Sequence, residues 1–387
     1  MASFFSYERK NIKLWGVKGY LGYDEMTGKQ ININKRGFKT RKEAKAYFDR
    51  ETVAFQTGIN NRLTDNRTYG EVYQEWIVQY RNTVKESTAV KTEELFNRHV
   101  LPIFAPYRIR KISSHFLQKQ LNEWHKSFAM YRKVFNYTCK VFQYAVNMGY
   151  ISANPKARII MPRKEIDYKT TVSDKRTKDF YTREELKSLL NAMKSMTTKK
   201  WLTFFRLLAF TGIRRGEALA LTWNDINFNN STISINKTLA HGEKRKLIIQ
   251  SPKSKASKRV ISLDTQTIDL LKEWRTEQAK IMLQFGYNTL RPKQLIFSKF
   301  ETNTFLDLST PRNALSRICV KHNLPMINIH GFRYTHCSLL LDAGVPMHEV
   351  KERLGHSDIK MTMNVYARVS KETKENSANL FAKYVNF

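Results

Sequence analysis

The stretch TGIRRGEALALTW spans residues 211–223 and follows an apolar run that predicts a buried helix. Gly212 permits a sharp turn of the chain, after which a second helix is expected to open near Arg214. Glu217 lies three residues further on, on the same helical face, where its carboxylate can pair with the guanidinium. Taken alone, this pattern also fits a surface salt bridge at the start of a helix.

A basic segment, SPKSKASKR, lies between two strand candidates in the region 225–263. The strands are indicated by apolar residues at a period of two, such as Ile261 and Leu263. Lys253 sits in this connection, where a lysine can reach a phosphate as a flexible point charge. Considered alone, the segment can also be read as a solvated basic turn.

Two further segments carry histidine. His330 and Arg333 are three residues apart, so a helix places both on one face. His356 follows a glycine, and Tyr366 comes ten residues later. Each segment alone also fits an ordinary amphipathic helix or a tyrosine of the core or surface.

Together these segments offer, in order, an arginine, a lysine, His-x-x-Arg, Gly-His and a tyrosine. This order and spacing resemble the tyrosine recombinase family, the phage-integrase class of site-specific DNA recombinases. The resemblance covers the C-terminal half of the chain and rests on four stretches: TGIRRGEALALTW, SPKSKASKR, HGFRYTH and LGHSDIKMTMNVY.

The resemblance implies that DNA strands are cleaved and rejoined by phosphoryl transfer. The hydroxyl of Tyr366 would attack a DNA phosphate, form a 3′-phosphotyrosine and release a 5′-hydroxyl. Arg214 and Arg333 match the two phosphate-clamping arginines of the family, and a guanidinium suits that task because its fork donates two parallel hydrogen bonds. Lys253 matches the presumed general acid for the leaving 5′-oxygen.

The resemblance also assigns supporting roles. His330 matches the residue that assists proton transfer, and an imidazole titrating near pH 6.5 suits that role. His356 matches the second histidine, which hydrogen-bonds the phosphate, and Glu217 orients the site. No metal and no cofactor are expected: His330, His336 and Cys337 lack a fourth ligand for zinc, and the chain has no P-loop pattern.

We predict a multidomain, mainly α chain. Strict alternation in residues 30–34, a second strand at 14–23 and a capping box from Thr40 to Glu43 indicate a three-stranded sheet followed by a helix. The predicted parts are a small α+β module at 1–60, an all-α domain at 67–162, a linker at 163–180, and a mostly α catalytic domain with a small β-sheet at 181–387. The first resembles the family's arm-type DNA-binding domain and the second its core-binding domain.

The charge of the chain points to a polyanionic partner. The 67 Lys and Arg residues against 34 Asp and Glu residues give a formal net charge of +33. Double-stranded DNA is therefore the expected partner, at both core and arm attachment sites. Candidate DNA-contacting residues in the first module are Lys13, Lys18, Lys29, Lys35 and Arg36, although each alone also fits a solvated basic face.

The resemblance further implies a homotetramer on DNA that integrates, and also excises, a mobile element. Whether an excision factor or a host DNA-bending protein is needed stays open. We expect a cytoplasmic location in a bacterial host, since the three cysteines form no CxxC pair and no apolar run is long enough to span a bilayer.

Two other functions remain open from the sequence. A non-enzymatic DNA-binding regulator would fit the charge, but it predicts a gap in the catalytic set, and none is found. A DNA-relaxing topoisomerase of related chemistry would use the same residues, but it needs no arm-type module.

Overall fold

The structure, a computed structural model, describes residues 2–9, 12–23, 30–56, 66–163, 179–195, 198–252, 254–360 and 362–363. The chain divides into two compact units, residues 1–166 and 167–387. The boundary falls inside the predicted linker at 163–180, while the further division at residues 60–67 stays a prediction. In the described part of the chain, every helix falls short of the length and apolar character needed to cross a bilayer.

The first unit begins with an antiparallel sheet. Its strands, in spatial order, are β1 (Ala2–Arg9), β2 (Ile12–Tyr23) and β3 (Gln30–Phe38), and helix α1 (Arg41–Gln56) follows. The capping expected at Thr40 is present, because its hydroxyl accepts a hydrogen bond from the Glu43 amide at 3.1 Å. The predicted sheet-plus-helix module is thereby confirmed.

One face of this sheet packs against α1. Val17 is fully buried on that face, and a Cβ at Gly19 would approach the Phe48 ring of α1 to 2.4 Å. Directly paired residues point to the same side of an antiparallel sheet. The pairs Lys18–Asn34 and Gly16–Arg36 alternate with Val17 and therefore lie on the opposite, open face.

The rest of the first unit is helical. Its helices are α2 (Tyr69–Thr83), α3 (Glu86–Leu95), α4 (Leu101–Phe104), α5 (Ser114–Ser127) and α6 (Tyr131–Asn147), with a π-helical stretch at Phe96–Val100. Thr68 and Glu71 form a capping box at the start of α2. Buried aromatic rings such as Tyr69, Phe104 and Phe142 form the core.

The second unit is mostly helical. Its helices are α7 (Arg183–Lys194), α8 (Lys200–Thr211), α9 (Arg215–Leu219), α10 (Thr265–Gln284), α11 (Thr310–Lys321), α12 (Gly331–Asp342) and α13 (Met347–Leu354). Helix α8 lies in the core, where Phe205 stacks on Phe332 of α12 at 5.2 Å between ring centroids.

The strand region of this unit forms two small sheets. One contains β4 (Ile226–Asn227), β5 (Thr232–Ile235) and β8 (Arg259–Ser262), and the other is the hairpin of β6 (Thr238–His241) and β7 (Leu247–Gln250). The basic segment 251–258 therefore joins strands of different sheets. The predicted fold class, mainly α with a small N-terminal sheet and further short strands in the mostly α catalytic region, is confirmed.

Candidate active site

The turn after α8 positions the first motif. Gly212 has a left-handed φ of 64°, and a Cβ there would lie 2.7 Å from the His336 ring, so glycine is required for both conformation and space. Arg214 is the extended N-cap residue of α9. The Glu217 carboxylate accepts hydrogen bonds from the Arg214 amide at 3.0 Å and from its Nη1 at 2.8 Å. The Glu217 carboxylate therefore holds Arg214 both at its backbone amide and at its guanidinium.

Arg333 joins the first motif to the last. It is only 3% exposed, and its Nη1 and Nη2 donate to the carbonyl oxygens of Gly212 and Leu354 at 2.8 and 2.7 Å. Burial and the charges of Arg214 and Arg259 lower the pKa of Arg333 to about 9, so it remains protonated at neutral pH. These bonds hold the guanidinium rigidly between two turns.

Both predicted histidines face this positive charge. His356 follows the left-handed Gly355, is 8% exposed, and lies with Nδ1 2.9 Å from the Thr362 hydroxyl. Burial, followed by the charges of Arg333 and Arg214, lowers its pKa to about 3. The imidazole is therefore neutral at physiological pH.

His330 is the N-cap residue of α12 and is more exposed than His356. Loss of water around its imidazole, together with the charges of Arg333 and Arg214, lowers its pKa well below 6.5. The ordinary titration expected from the sequence does not hold in this environment. In the DNA-free site, His330 is a neutral base.

Arg259 is a member of this cluster that sequence reasoning missed. Its side chain is 7% exposed, and its Nη2 lies 3.1 Å from Glu217. A signal was present, because the period-two pattern of Ile261 and Leu263, extended back by two residues, puts Arg259 on the buried side of its strand. A buried arginine calls for a carboxylate partner.

A second layer of contacts surrounds the motifs. The Nδ1 of His336 donates to the Ala209 carbonyl at 2.8 Å, and Arg353 donates to its Nε2 at 3.1 Å. Both ring nitrogens of His336 are thus in use. Among the described residues, no group of three His, Cys, Asp or Glu side chains could hold a metal ion.

Three of the predicted site residues cannot be located. Lys29, Lys253 and Tyr366 lie outside the described residues. Of their predicted partners, the structure brings together Arg214, Glu217, His330, Arg333 and His356 in the second unit, while Lys13, Lys18, Lys35 and Arg36 lie on the sheet of the first unit.

Comparison with protein-family models assigns most of the chain. Residues 179–373 match the phage integrase family, residues 68–125 match the N-terminal SAM-like domain of phage integrases, and residues 5–50 match an arm DNA-binding domain.

Some known proteins with similar sequences align over nearly the whole chain. A tyrosine recombinase XerC-like protein of Caldanaerobacter subterraneus subsp. tengcongensis is 29% identical, with 97% of this chain and 98% of that protein aligned. The ICEBs1 integrase of Bacillus subtilis is 25% identical, with 90% and 91% aligned.

Solved structures share the fold at lower identity. The Tn1549 transposon integrase in complex with transposon right end DNA is 19% identical, with a TM-score of 0.61 over 79% of this chain and 99% of that one. A lambda integrase dimer bound to a core site is 16% identical, with a TM-score of 0.56 over 93% and 94% of the two chains.

Proposed function

Since this chain belongs to the phage integrase family of tyrosine recombinases, site-specific enzymes that cleave and rejoin DNA, we propose that Arg214, Arg333 and His356 bind the phosphate to be cleaved, with His330 beside them. The observation that carries this assignment is their convergence from three separate motifs: Glu217 pairs with Arg214, and the charges of Arg214 and Arg333 act on both His330 and His356. With both histidines neutral, the cluster has an excess of positive charge. A phosphodiester gains negative charge as it passes through the transition state, so this charge favours the reaction.

Tyr366 is the proposed nucleophile, which forms the 3′-phosphotyrosine. Support comes from Thr362, whose hydroxyl contacts His356. Tyr366 is four positions after Thr362, so a fully extended chain can hold their Cα atoms at most about 14 Å apart. Nearby guanidinium groups favour the phenolate and would activate the tyrosine.

The remaining groups transfer protons or hydrogen-bond the phosphate. Lys253 is the proposed acid for the leaving 5′-oxygen, and His330, a neutral base, assists the transfer. If the Thr362 hydroxyl donates to Nδ1 of His356, the Nε2–H of that ring is left to donate to a phosphate oxygen. The DNA-bound phosphate would in turn raise the pKa of both histidines.

The test is formation of the covalent complex on a nicked duplex that carries the core attachment site. Tyr366→Phe should abolish the adduct while DNA binding persists, and Arg214→Ala should reduce the cleavage rate by about a thousandfold or more. Adduct formation at the normal rate in both variants would overturn the assignments.

The open face of the first-unit sheet is the proposed arm-site reader. Lys18 and Arg36 lie on this face beside Asn32 and Asn34, and amide and guanidinium groups recognise base edges in the major groove. Lys35 is paired with the buried Val17 and belongs to the other face. Lys13 pairs with Glu8 in the same alternating position as Val17.

A matched pair of variants tests this orientation. The double variant Lys18→Ala/Arg36→Ala should weaken binding to arm-site DNA by about tenfold or more, whereas Lys35→Ala should have a smaller effect. The opposite ranking would place the DNA on the α1 side. The control is core-site cleavage by the same variants, which should proceed at the wild-type rate if their catalytic domains are intact.

Assembly and biology follow from the same assignment. We propose that four copies act on paired core and arm sites in double-stranded DNA, in the cytoplasm of a bacterial host. A lambda integrase tetramer bound to a Holliday junction supports this arrangement through a shared fold, with a TM-score of 0.54. The reaction integrates a mobile element and also excises it, and an excision factor or a host DNA-bending protein is a candidate partner for these steps.

A further inference from the structure

Arg259 lies at the start of β8. Its guanidinium makes an ion pair and hydrogen bonds with residues of three separate segments of the chain. Its Nη2 pairs with Glu217 at 3.1 Å, its Nη1 donates to the Ser257 carbonyl at 3.0 Å, and its Nε donates to the Arg353 carbonyl at 2.8 Å. All three nitrogen atoms of this guanidinium are therefore engaged.

Each of these contacts belongs to a sequence segment that also carries a proposed active-site residue. Ser257 belongs to the connection that carries Lys253, and Arg353 is three residues before His356. The packing is close, since a Cβ at Gly355 would lie 3.1 Å from Cδ of Arg259. Arg259 therefore couples the positions of segments that are distant in sequence.

The contact with Glu217 has an electrostatic consequence. This carboxylate is 2% exposed, and Arg214 and Arg259 share it. Burial alone would raise the pKa of Glu217, but Arg259 and Arg214 outweigh that effect and hold the pKa below its ordinary value. The carboxylate is therefore ionised at neutral pH.

Without Arg259, the buried carboxylate would have Arg214 as its counter-ion. A buried charge with a single counter-ion binds that counter-ion strongly, because losing it would leave an unpaired charge in a medium of low dielectric constant. Arg214 would then be committed to Glu217, and its charge would be cancelled before any phosphate arrived. With Arg259 present, two cations share one anion, and one unit of positive charge remains for the substrate.

We propose that Arg259 is a positioning residue of the recombination reaction, which neutralises Glu217 and leaves Arg214 oriented and charged for the DNA phosphate. It does not touch the reacting atoms but acts through Glu217, Ser257 and the Arg353 backbone. This proposal rests on the assignment of Arg214 as a phosphate ligand.

The experiment measures single-turnover formation of the covalent complex at saturating protein on two nicked duplexes. One has the normal scissile phosphodiester, and the other has a methylphosphonate there, which lacks the negative charge. Arg259→Met should react about 100-fold more slowly than the wild type on the phosphodiester but less than about tenfold more slowly on the methylphosphonate. The double variant Arg259→Met/Glu217→Gln should regain about tenfold on the phosphodiester, because it removes the unbalanced carboxylate.

Two control variants distinguish the effect of losing the Arg259 charge from the effect of disturbing the local structure. Lys272→Met removes an exposed positive charge from α10 and should leave both rates unchanged. Arg259→Lys retains the positive charge. The ratio of its rate on the phosphodiester to its rate on the methylphosphonate should therefore equal that of the wild type, even if the loss of hydrogen bonds slows both reactions. This variant also serves where the methionine variant does not fold.

The outcomes are distinct. Equal slowing of Arg259→Met on both duplexes, or no rescue by Glu217→Gln, would mean that Arg259 is only structural and would overturn the proposal. If Arg214→Ala leaves adduct formation at the wild-type rate, the phosphate-clamp assignment itself fails. If Arg214→Ala is inactive while Arg259→Met matches the wild type, only the role of Arg259 fails.

Discussion

Gly212 shows how a single residue shapes the site. Its left-handed φ of 64° and its contacts with Leu354 and His336 give two separate reasons for the absence of a side chain. Gly212→Ala should lower the free energy of unfolding by roughly 2–4 kcal/mol, about 1 kcal/mol for the backbone conformation and the rest for the displaced side chains. Chemical denaturation measures this change.

Gly286→Ala is the matched control for the backbone term. Gly286 has a φ of 80°, and a Cβ at this residue would meet no neighbouring group within 4 Å. This variant should lose only about 1 kcal/mol. Equal losses at both positions would show that the contacts of Gly212 are readily relieved.

The buried histidines predict how stability depends on pH. The pKa values of His336 and His356 are each about 3 in the folded chain, against an ordinary value of 6.5. Since the unfolded chain binds more protons between these values, stability must fall as the pH falls from about 6.5 towards 3. Each histidine should contribute about 2 kcal/mol to the loss by pH 5.

His356→Asn tests the source of this loss. Asparagine retains a polar group near Thr362 but does not titrate. Urea unfolding between pH 7 and pH 5 should therefore show a shallower decline for the variant, by about 1 kcal/mol per pH unit below pH 6. An unchanged slope would mean that His356 is protonated in the folded protein with an ordinary pKa.

At the scale of elements, Arg353 ties α13 to the rest of the second unit. Its Nη2 donates to the carbonyls of Phe210 and Ser262, at the ends of α8 and β8, and its Nε donates to His336. In Arg353→Met, α13 can open locally without breaking these hydrogen bonds. Amide hydrogen exchange in α13 should therefore increase by about tenfold or more. Glu352→Gln, at an exposed position of the same helix, is the control, and comparable exchange in both variants would contradict the link.

The elements were the most predictable part of the chain. Thr40 caps α1 through a local hydrogen bond from the Glu43 amide, and such a signal depends on a few adjacent residues. Period-two alternation likewise located β3 and β8. The first strand, β1, was less evident in the sequence, because its pairing with β2 depends on a partner outside the strand itself.

Motif order predicted that residues of the candidate site lie close together, which the structure shows, but it did not predict their surroundings. Motif order identified Arg214, Arg333 and His356, yet their burial and mutual distances depend on how α8, α12 and α13 pack. For this reason the lowered pKa values of the histidines were not foreseen from the sequence. Arg259 was overlooked for a related reason, since its partner Glu217 is 42 residues away.

At the scale of the whole molecule, the formal net charge of +33 governs the strength of DNA binding. Each phosphate that a lysine or arginine neutralises releases condensed counter-ions, so affinity falls as salt rises. For a protein that neutralises some six phosphates or more, we expect a loss of about a thousandfold between 50 and 200 mM salt. Titration of labelled core-site and arm-site duplexes over this range measures the slope.

The same titration separates the general charge from the specific contacts of the sheet. Lys18→Ala/Arg36→Ala removes two cations from the open face, which should reduce the magnitude of the salt slope on arm-site DNA by up to about two. On core-site DNA the slope should not change, because the proposed core contacts lie in other parts of the chain. Equal changes on both duplexes would mean that these residues contribute only to the overall field of the protein, and that arm-site specificity must come from other side chains.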